Sequence, residues 1–324
     1  MGSLLTLKNF NVTYRNNEKS VYAVRNVDLT INRGESIGIV GESGSGKSTL
    51  AMGFMRLLPP KTAIITGEAD FLGNDMVTID PEKLRSLRWV NLSVVFQKAM
   101  NSFSPVHRLG NQIEDIYRVH VPNASVTEIK ERVQTLLRLV NLPERVYTLY
   151  PHEMSGGMIQ RMSIAISLLH NPDLLVMDEA TTALDVITQG QILKEVVSLE
   201  KELNMTRLMI THDISVVAAS CKKIAVMYAG EMLEVGYVSD VLKNPTHPYT
   251  KGLLASFPSL KGEKSELKGI KGFLPDLSVF YDGCVFEPRC PYAMEKCKKE
   301  KPPLATLENG RTVACFLCGG EGDE

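Results

Sequence analysis

The chain has 324 residues, of which 44% are apolar and 23% are charged, and its net charge is −1. These values are typical of a globular protein with room for two domains, and they provide no overall positive field that would favour nucleic acid. No window approaches 18 uninterrupted apolar residues, and the first residues lack the basic start and apolar core of a signal peptide. We therefore expect a cytosolic protein that does not itself cross a membrane.

The first part of the chain predicts a small antiparallel sheet ahead of a glycine-rich loop. Residues 5–14 and 21–31 have the mixed apolar and polar pattern of strands. Residues 36–40 form a short apolar run typical of a buried strand, and residues 50–58 have helical apolar spacing. Between these last two elements lies the sequence Gly41-Glu42-Ser43-Gly44-Ser45-Gly46-Lys47-Ser48-Thr49. A strand, a glycine loop, Lys-Ser and a helix, in this order, predict a phosphate-binding P-loop.

The chemistry of such a loop follows from its backbone. Glycines allow N–H groups to turn inward around an anion, and the following helix points its positive end at the same place. Lys47 would reach the β- and γ-phosphates, and Ser48 would hold Mg²⁺. The candidate nucleotide-binding residues of the loop are Gly41, Ser43, Gly44, Ser45, Gly46, Lys47, Ser48 and Thr49.

Three later apolar strands are each followed by a polar residue that could face the P-loop. These residues are Gln97, the pair Asp178-Glu179, and His212. Ligands of open parallel sheets bind at the carboxyl ends of the strands, so we expect these side chains near the phosphates. Ser48, Gln97 and Asp178 are the candidate Mg²⁺ ligands, and Glu179 is placed to orient and polarise the attacking water. The alternative is that charged residues simply mark the exit of a strand.

The rest of the chain supplies helices and a compositional boundary. Residues 108–142 have two apolar faces at helical spacing, which predicts helices that face a core. Residues 188–203 predict a long amphipathic helix, and residues 224–235 predict a hairpin. Proline, lysine and glycine become frequent near residue 243, so we predict a domain boundary at about residue 240.

Several features of the sequence carry a resemblance to a known family. Met154-Ser155-Gly156-Gly157-Met158 resembles the signature loop of ABC ATPases, which usually begins Leu-Ser-Gly-Gly-Gln; Met in the fifth place is frequent in peptide importers. The sequence Asp178-Glu179-Ala180-Thr181-Thr182-Ala183-Leu184-Asp185 resembles the Walker B motif and D-loop of the family, although Pro is usual where Ala180 stands. His212 matches the switch histidine, and Gln97 matches the Q-loop glutamine. Tyr14 resembles the aromatic residue that stacks on adenine, with Tyr22 as the weaker candidate.

The resemblance implies an α/β fold with a P-loop NTPase (RecA-like) core, an antiparallel β subdomain and an α-helical subdomain at about residues 98–165. The cassette would occupy residues 1–240, and residues 241–324 would form a small, irregular, metal-binding extension. It also implies a sandwich dimer in which Ser155, Gly156 and Gly157 serve the nucleotide of the partner subunit and Asp185 reaches across the interface. His212 would contact the γ-phosphate in its own subunit, and Gln97 would report the phosphate state.

The sequence from Asn244 to Leu254, which contains Pro245-Thr246-His247-Pro248-Tyr249, resembles the motif after the ATPase domain in dipeptide and oligopeptide importers. Nickel importers of the same branch also carry it. The resemblance implies a subunit at the cytoplasmic face of the membrane that hydrolyses ATP to power peptide import. Its partners would be a related ATPase subunit, two membrane-spanning permease subunits and, indirectly, an external peptide-binding protein. A homodimer and a nickel substrate both remain open.

The chain has six cysteines, and five of them lie in the C-terminal extension. In a reducing compartment such clustering favours a metal site over disulfides. Cys284, Cys290, Cys297 and Cys315 could hold a [4Fe–4S] cluster or a tetrahedral Zn²⁺, or they could be free thiols. The wide, unequal spacings favour the cluster, and the resemblance to peptide importers points to it as well. We expect its role to be structural, because residues 258–324 are poor in apolar side chains.

Two other classes of function are open to the sequence. A soluble ABC ATPase that acts on nucleic acid or ribosomes would share the P-loop, but the chain has a single cassette and no basic stripe. A phosphate-binding regulator without turnover would not need Glu179. We therefore expect an ATPase with ATP and Mg²⁺ as cofactors and no nucleic-acid partner.

Overall fold

The structure, a computed structural model, describes residues 2–16, 19–97, 102–181, 184–256 and 269–318. The chain divides into two compact units. The helical unit comprises Met1–Leu4, Asn32–Ser36 and Thr78–Ile210. The P-loop unit comprises Leu5–Ile31, Ile37–Val77 and Thr211–Glu324.

Strands and helices are mixed along residues 1–240, as predicted, and short strands and helices also occur in the extension that was expected to be irregular. In the described ranges the strands are β1 (Ser3–Asn16), β2 (Lys19–Asn32), β3 (Ser36–Val40), β4 (Ala63–Phe71), β5 (Asn74–Asp75), β6 (Leu92–Val95), β7 (Leu174–Asp178), β8 (Thr206–Ile210), β9 (Lys223–Tyr228), β10 (Glu231–Tyr237), β11 (Leu304–Thr306) and β12 (Thr312–Ala314). The helices of the same ranges are α1 (Lys47–Phe54), α2 (Pro81–Leu87), α3 (Leu109–His120), α4 (Val126–Leu139), α5 (Gly156–Ser167), α6 (Val186–Leu203), α7 (Ile214–Ser220), α8 (Val238–Lys243), α9 (Pro248–Ala255) and α10 (Glu295–Lys299). None of the helices in this part of the chain is long and apolar enough to cross a bilayer.

The P-loop unit contains two sets of strands. The first has the order β2-β1-β4-β5, in which β4 runs antiparallel to both β1 and β5, as predicted for the antiparallel subdomain. In the second, β3 is parallel to β9, with Gly38 opposite Ile224, and β9 is antiparallel to β10. All five residues of β3 are buried, as expected for a strand covered on both faces. The carboxyl end of β3 leads directly into the glycine-rich loop.

The helical unit is built on the parallel strands β6, β7 and β8. Val94 of β6 lies opposite Val176 of β7, which lies opposite Leu208 of β8. Because the three strands run in one direction, their carboxyl ends meet at one edge of the sheet. Helix α4 packs against both α3 and α5, and the apolar residues of α4, such as Ile129 and Val133, are buried. The predicted core-facing helices are therefore confirmed.

The chain after residue 241 has more core than its composition suggests. Val285, Phe286 and Tyr249 are buried in one apolar cluster with Tyr228 of β9. Strand β12 adds to the edge of β10, with Val313 opposite Glu234. These residues use apolar surface that the P-loop unit provides, which is why a segment poor in apolar residues can still be ordered.

Candidate functional site

The glycine-rich loop follows β3 and ends on α1. Gly46 is the N-cap of α1 with a φ of 97°, and a Cβ at this position would lie 2.2 Å from the carbonyl oxygen of Ala23. A Cβ on Gly41 would lie 2.0 Å from the carbonyl oxygen of Met227. Only glycine fits either position. Because Gly46 offers no side-chain cap, the N-terminus of α1 opens directly onto the loop.

The ammonium group of Lys47 lies inside this loop. The residue is only 5% exposed. Its Nζ donates to the carbonyl oxygens of Gly41 at 2.8 Å and Glu42 at 2.9 Å, and it lies 3.5 Å from Ser45 Oγ. The positive charge is thus surrounded by oxygens of the loop itself, which phosphate oxygens could replace when an anion enters.

The two tyrosines proposed for adenine stacking lie in different surroundings. The hydroxyl of Tyr14 is 3.3 Å from Thr49 Oγ1, beside the start of α1. The ring of Tyr22 instead packs edge-to-face against Phe280, with 5.4 Å between ring centroids, and its N–H donates to the carbonyl of Leu277. Of the two, Tyr14 is the one in contact with the P-loop helix.

At the sheet edge of the helical unit, two predicted residues meet. Gln97 Nε2 donates to Glu179 Oε2 at 2.7 Å, although the residues are 82 positions apart. Glu179 follows β7 directly with a φ of 47°, and its N–H donates to the carbonyl of Ile210 at 2.8 Å. A non-glycine residue in this left-handed conformation is strained, and such strain is concentrated at functional sites. Asp178, the last residue of β7, is buried beside it.

His212 lies in the P-loop unit, just before α7. The N–H of Thr211 donates to the carbonyl of Ile39 in β3 at 3.1 Å. Asp213 caps α7 by accepting the N–H of Ser215 at 2.8 Å. These two bonds fix the backbone on either side of His212, whose side chain is exposed.

A pocket of about 520 Å³ lies in the helical unit, and the N-termini of α5 and α6 border it. Ser155 caps α5 by accepting the N–H of Met158 at 3.3 Å, and Asp185 caps α6 by accepting the N–H of Thr188 at 3.0 Å. Hydrogen bonds from Thr188 hold the pKa of Asp185 below its ordinary value. Gly156 and Gly157 also line the pocket. Because the Asp185 carboxylate already occupies the N-terminus of α6, the N-terminus of α5 is the part of the pocket that favours an anion.

The predicted nucleotide residues are therefore distributed over both units. The loop residues 41–49, Tyr14 and His212 belong to the P-loop unit, whereas Gln97, Asp178, Glu179, Ser155 and Asp185 belong to the helical unit. Their convergence on one nucleotide stays a prediction. Thr182 and Ala183 of the D-loop motif lie outside the described residues.

The four cysteines predicted as ligands border one small cavity. Cys284, Cys290, Cys297 and Cys315 line it together with His247. The N–H of Cys284 donates to the carbonyl of Cys297 at 2.8 Å, which holds the two segments together. Burial raises the pKa of the Cys284 thiol to about 12 and also raises that of Cys290.

No group of three or more His, Cys, Asp or Glu side chains in the described part of the chain has the geometry of a metal site. The metal-binding character of the extension therefore stays a prediction. Cys318 does not line the cavity, and Cys221 is the C-cap of α7. The N–H of Cys318 donates to the carbonyl of Cys315 at 3.1 Å, so Cys318 lies next to the predicted ligand set.

Nothing in the sequence marked Tyr249 as a neighbour of the P-loop. Its hydroxyl accepts the N–H of Glu42 at 3.1 Å, across 207 positions of chain. Tyr249 is fully buried, and its ring lies 4.6 Å from that of Tyr228. The only local signal was its place in the proline-rich motif after residue 244, and that motif gives no reason for a contact so far away.

Comparison with known proteins places this geometry in a family. Residues 24–182 match the family described as "ABC transporter", and residues 233–297 match "Oligopeptide/dipeptide transporter, C-terminal region". The chain is 42% identical over 315 residues to the oligopeptide transport ATP-binding protein OppD of Salmonella typhimurium, covering 97% of this chain and 93% of that protein. It is 39% identical over 327 residues to the oligopeptide transport ATP-binding protein AppD of Bacillus subtilis, covering 100% and 99%.

Among solved structures, the chain is similar to the dimeric ATP-binding cassette MJ0796 bound to ADP and Pi in a post-hydrolysis state. The TM-score is 0.65 at 31% identity, and the match covers 72% of this chain and 98% of that one. The cassette fold predicted from the sequence is therefore confirmed.

Proposed function

Because this chain belongs to the ATP-binding proteins of ABC transporters, in the branch with the oligopeptide/dipeptide C-terminal region, we propose that it hydrolyses ATP to power peptide import. The observation that carries the catalytic part is the contact between Gln97 and Glu179 at the carboxyl ends of neighbouring strands. The peptide part is supported by relatives that are oligopeptide transport proteins and are similar over almost the full length.

The P-loop would hold the phosphates of ATP. The loop fits this ligand, because its glycines leave no room for side chains and the ammonium of Lys47 already lies among loop oxygens. On binding, Lys47 would exchange the carbonyls of Gly41 and Glu42 for phosphate oxygens. Tyr14 beside Thr49 would support the adenine. Ser48, Gln97 and Asp178 carry the oxygen ligands that Mg²⁺ prefers, and the ion would neutralise charge on the phosphates.

Glu179 would act on the attacking water. Its carboxylate follows β7 directly, and the amide of Gln97 fixes one of its oxygens at 2.7 Å. Phosphoryl transfer needs positioning more than covalent help, so one oriented carboxylate is a sufficient base. His212 would donate to the γ-phosphate, and Gln97 would report the presence of that phosphate to the helical subdomain at about residues 98–165.

The pocket of the helical unit supports a working dimer. Ser155, Gly156, Gly157 and Asp185 line this pocket, where the N-terminus of α5 is suited to an anion. In a sandwich dimer this pocket would complete the nucleotide site of the partner subunit. The similar cassette MJ0796 is a dimer bound to ADP and Pi. We propose a related ATPase subunit as the partner, with a second copy of this chain as the alternative.

The dimer would dock on two membrane-spanning permease subunits at the cytoplasmic face of the membrane, with an external peptide-binding protein delivering the substrate. In this arrangement residues 1–240 form the cassette and residues 241–324 form the extension.

For the extension we propose a [4Fe–4S] cluster, with Zn²⁺ as the alternative. Four thiols line one cavity, which is the donor set such a cluster needs, and Cys284, Cys290, Cys297 and Cys315 would hold it. The cluster would join separate turns of the C-terminal segment. Anaerobically purified protein should contain about four irons per chain and absorb at about 400 nm. Stoichiometric zinc without that absorbance would favour the alternative.

Uptake in cells tests the proposed function as a whole. Deletion of the gene should abolish uptake of a radiolabelled tripeptide. The wild-type gene should restore that uptake, whereas the Glu179→Gln variant should not. Undiminished peptide uptake together with lost nickel uptake would transfer the same ATPase role to a nickel importer.

A further inference from the structure

The P-loop residue Glu42 is held from three directions. Its N–H donates to the hydroxyl of Tyr249 at 3.1 Å, and its carbonyl accepts from Lys47 Nζ at 2.9 Å. Both oxygens of its carboxylate lie 3.0 Å from Arg289 Nη1. Arg289 is 247 positions later in the chain, in the turn that contains Cys290. The C-terminal segment therefore contacts the phosphate-binding loop through a charged pair.

The guanidinium of Arg289 is almost completely buried, and each of its nitrogens makes a hydrogen bond. Its side chain is only 6% exposed. Nη1 also donates to Tyr228 Oη at 3.2 Å, Nε donates to the carbonyl of Lys271 at 2.9 Å, and Nη2 donates to the carbonyl of Ile270 at 3.2 Å. A planar fork fixed at each nitrogen has one orientation, so the position of the Glu42 carboxylate is fixed as well.

The chain that precedes Arg289 also follows the P-loop. Gly44, at the tip of the loop, has Leu274 as its neighbour, since a Cβ there would lie 3.5 Å from Leu274 Cδ2. Three residues further, Leu277 accepts the N–H of Tyr22 in β2 at 2.8 Å. The segment 270–277 thus lies along the outside of the loop, and Arg289 fastens it at Glu42.

We propose that Arg289 is a positioning residue for the nucleotide site, which holds the P-loop in its binding conformation through Glu42. The proposal rests on the proposed binding of Mg·ATP by that loop. Arg289 contacts Glu42 and not the phosphates, and so restricts the loop that binds them. A loop ordered before binding loses less conformational freedom when the anion arrives, so affinity is higher.

This role predicts a particular split between kinetic constants. A preorganised loop favours the bound ground state and the transition state equally, so its loss raises KM and leaves kcat nearly unchanged. A merely structural role would instead lower the fraction of folded protein, which lowers the apparent kcat and leaves KM unchanged. The two readings therefore predict opposite results in one assay.

The matched control is a second arginine of the same segment. Arg311 Nη1 lies 3.3 Å from Glu234 Oε1, and its side chain is 10% exposed. It also donates to the carbonyl of Asn244. Arg289→Gln and Arg311→Gln each remove one buried guanidinium from the extension, but only the first contacts the P-loop.

The experiment uses the full-length chain for binding of fluorescent Mg·ATP and the assembled transporter for ATPase kinetics. We expect Arg289→Gln to raise both Kd and KM by about fivefold or more with kcat within about twofold, as for loss of a charge-assisted contact. Arg311→Gln should keep wild-type Kd and KM. Glu42→Gln leaves the extension intact and should also raise the Kd for Mg·ATP. The Arg289→Gln/Glu42→Gln double variant should have a Kd no higher than the higher Kd of the two single variants.

The outcomes separate the two levels of inference. A wild-type chain that does not bind Mg·ATP would remove the proposed function itself. A wild-type chain that binds, together with an Arg289→Gln variant of unchanged Kd, would remove the positioning role alone. An equal loss in Arg289→Gln and Arg311→Gln would also remove it. Should Arg289→Gln fail to fold, an unchanged Kd in Glu42→Gln would overturn the proposal.

Discussion

Replacement of Glu179 by Gln tests the catalytic assignment with the smallest change that the chain allows. Gln has nearly the same shape, and its Oε1 can still accept from Gln97 Nε2, which now donates to Glu179 at 2.7 Å. The N–H of residue 179 keeps its bond to the carbonyl of Ile210. The variant therefore loses the negative charge and basicity of the carboxylate while the surrounding backbone stays in place.

The expected effect is on turnover alone. A positioned general base contributes about 10²–10⁴ in rate, so kcat should fall by that factor. In free energy this is about 3–5 kcal/mol of lost transition-state stabilisation. Affinity for Mg·ATP should stay within about threefold of wild type, because Lys47 and the P-loop are unchanged.

The assay is phosphate release by the assembled transporter, with nucleotide binding to the same preparation measured in parallel. Glu144→Gln is the matched control, because Glu144 accepts from Gln134 Nε2 at 3.0 Å in the same kind of Gln–Glu pair, at an exposed position. The control should keep wild-type kcat. Turnover of Glu179→Gln within threefold of wild type would refute the assignment of Glu179 as the base.

Two further predictions concern the scaffold of the site. Glu200→Ala removes the carboxylate that lies 2.9 Å from the fully buried guanidinium of Arg207. The variant should lower the free energy of unfolding, measured in urea, by about 3–5 kcal/mol. Arg33→Ala breaks an ion pair whose arginine side chain is 51% exposed and should lower it by about 1 kcal/mol or less. Equal losses in these two variants would contradict the reasoning from burial. Gly46→Ala places a Cβ 2.2 Å from the carbonyl oxygen of Ala23 and should abolish binding of fluorescent Mg·ATP. Gly190→Ala in α6 is the control, because a Cβ there meets nothing within 4 Å. This variant should bind Mg·ATP normally and be about 1 kcal/mol more stable to unfolding. Nucleotide binding retained by Gly46→Ala would contradict the reasoning from backbone geometry.

The parts of this protein that depend on neighbouring residues were readable from the sequence. The apolar run of β3, the glycines that follow it and the Lys-Ser pair at the start of α1 are contiguous, so the P-loop could be recognised from order alone. The helical spacing of α4 and the apolar run of β7 were equally clear, because burial of one face or of both faces leaves a periodic pattern. Helix α7 has only seven residues, which is too few for a helical period to stand out, so its bounds were decided by the structure.

Contacts between distant residues were decided by the tertiary structure. The sequence predicted that Gln97 and Glu179 follow strands whose ends face the P-loop, and the pairing of β6 with β7 decided that Gln97 Nε2 lies 2.7 Å from Glu179 Oε2. The ion pair between Arg289 and Glu42 had no signal in the sequence, because the two residues are 247 positions apart and no motif contains both. The periodicity of apolar residues in a sequence reflects local secondary structure and which face of it is buried. The distant side chains that contact a residue depend on the order of the strands in the sheet and on the path of the chain between them. Both are properties of the whole folded molecule.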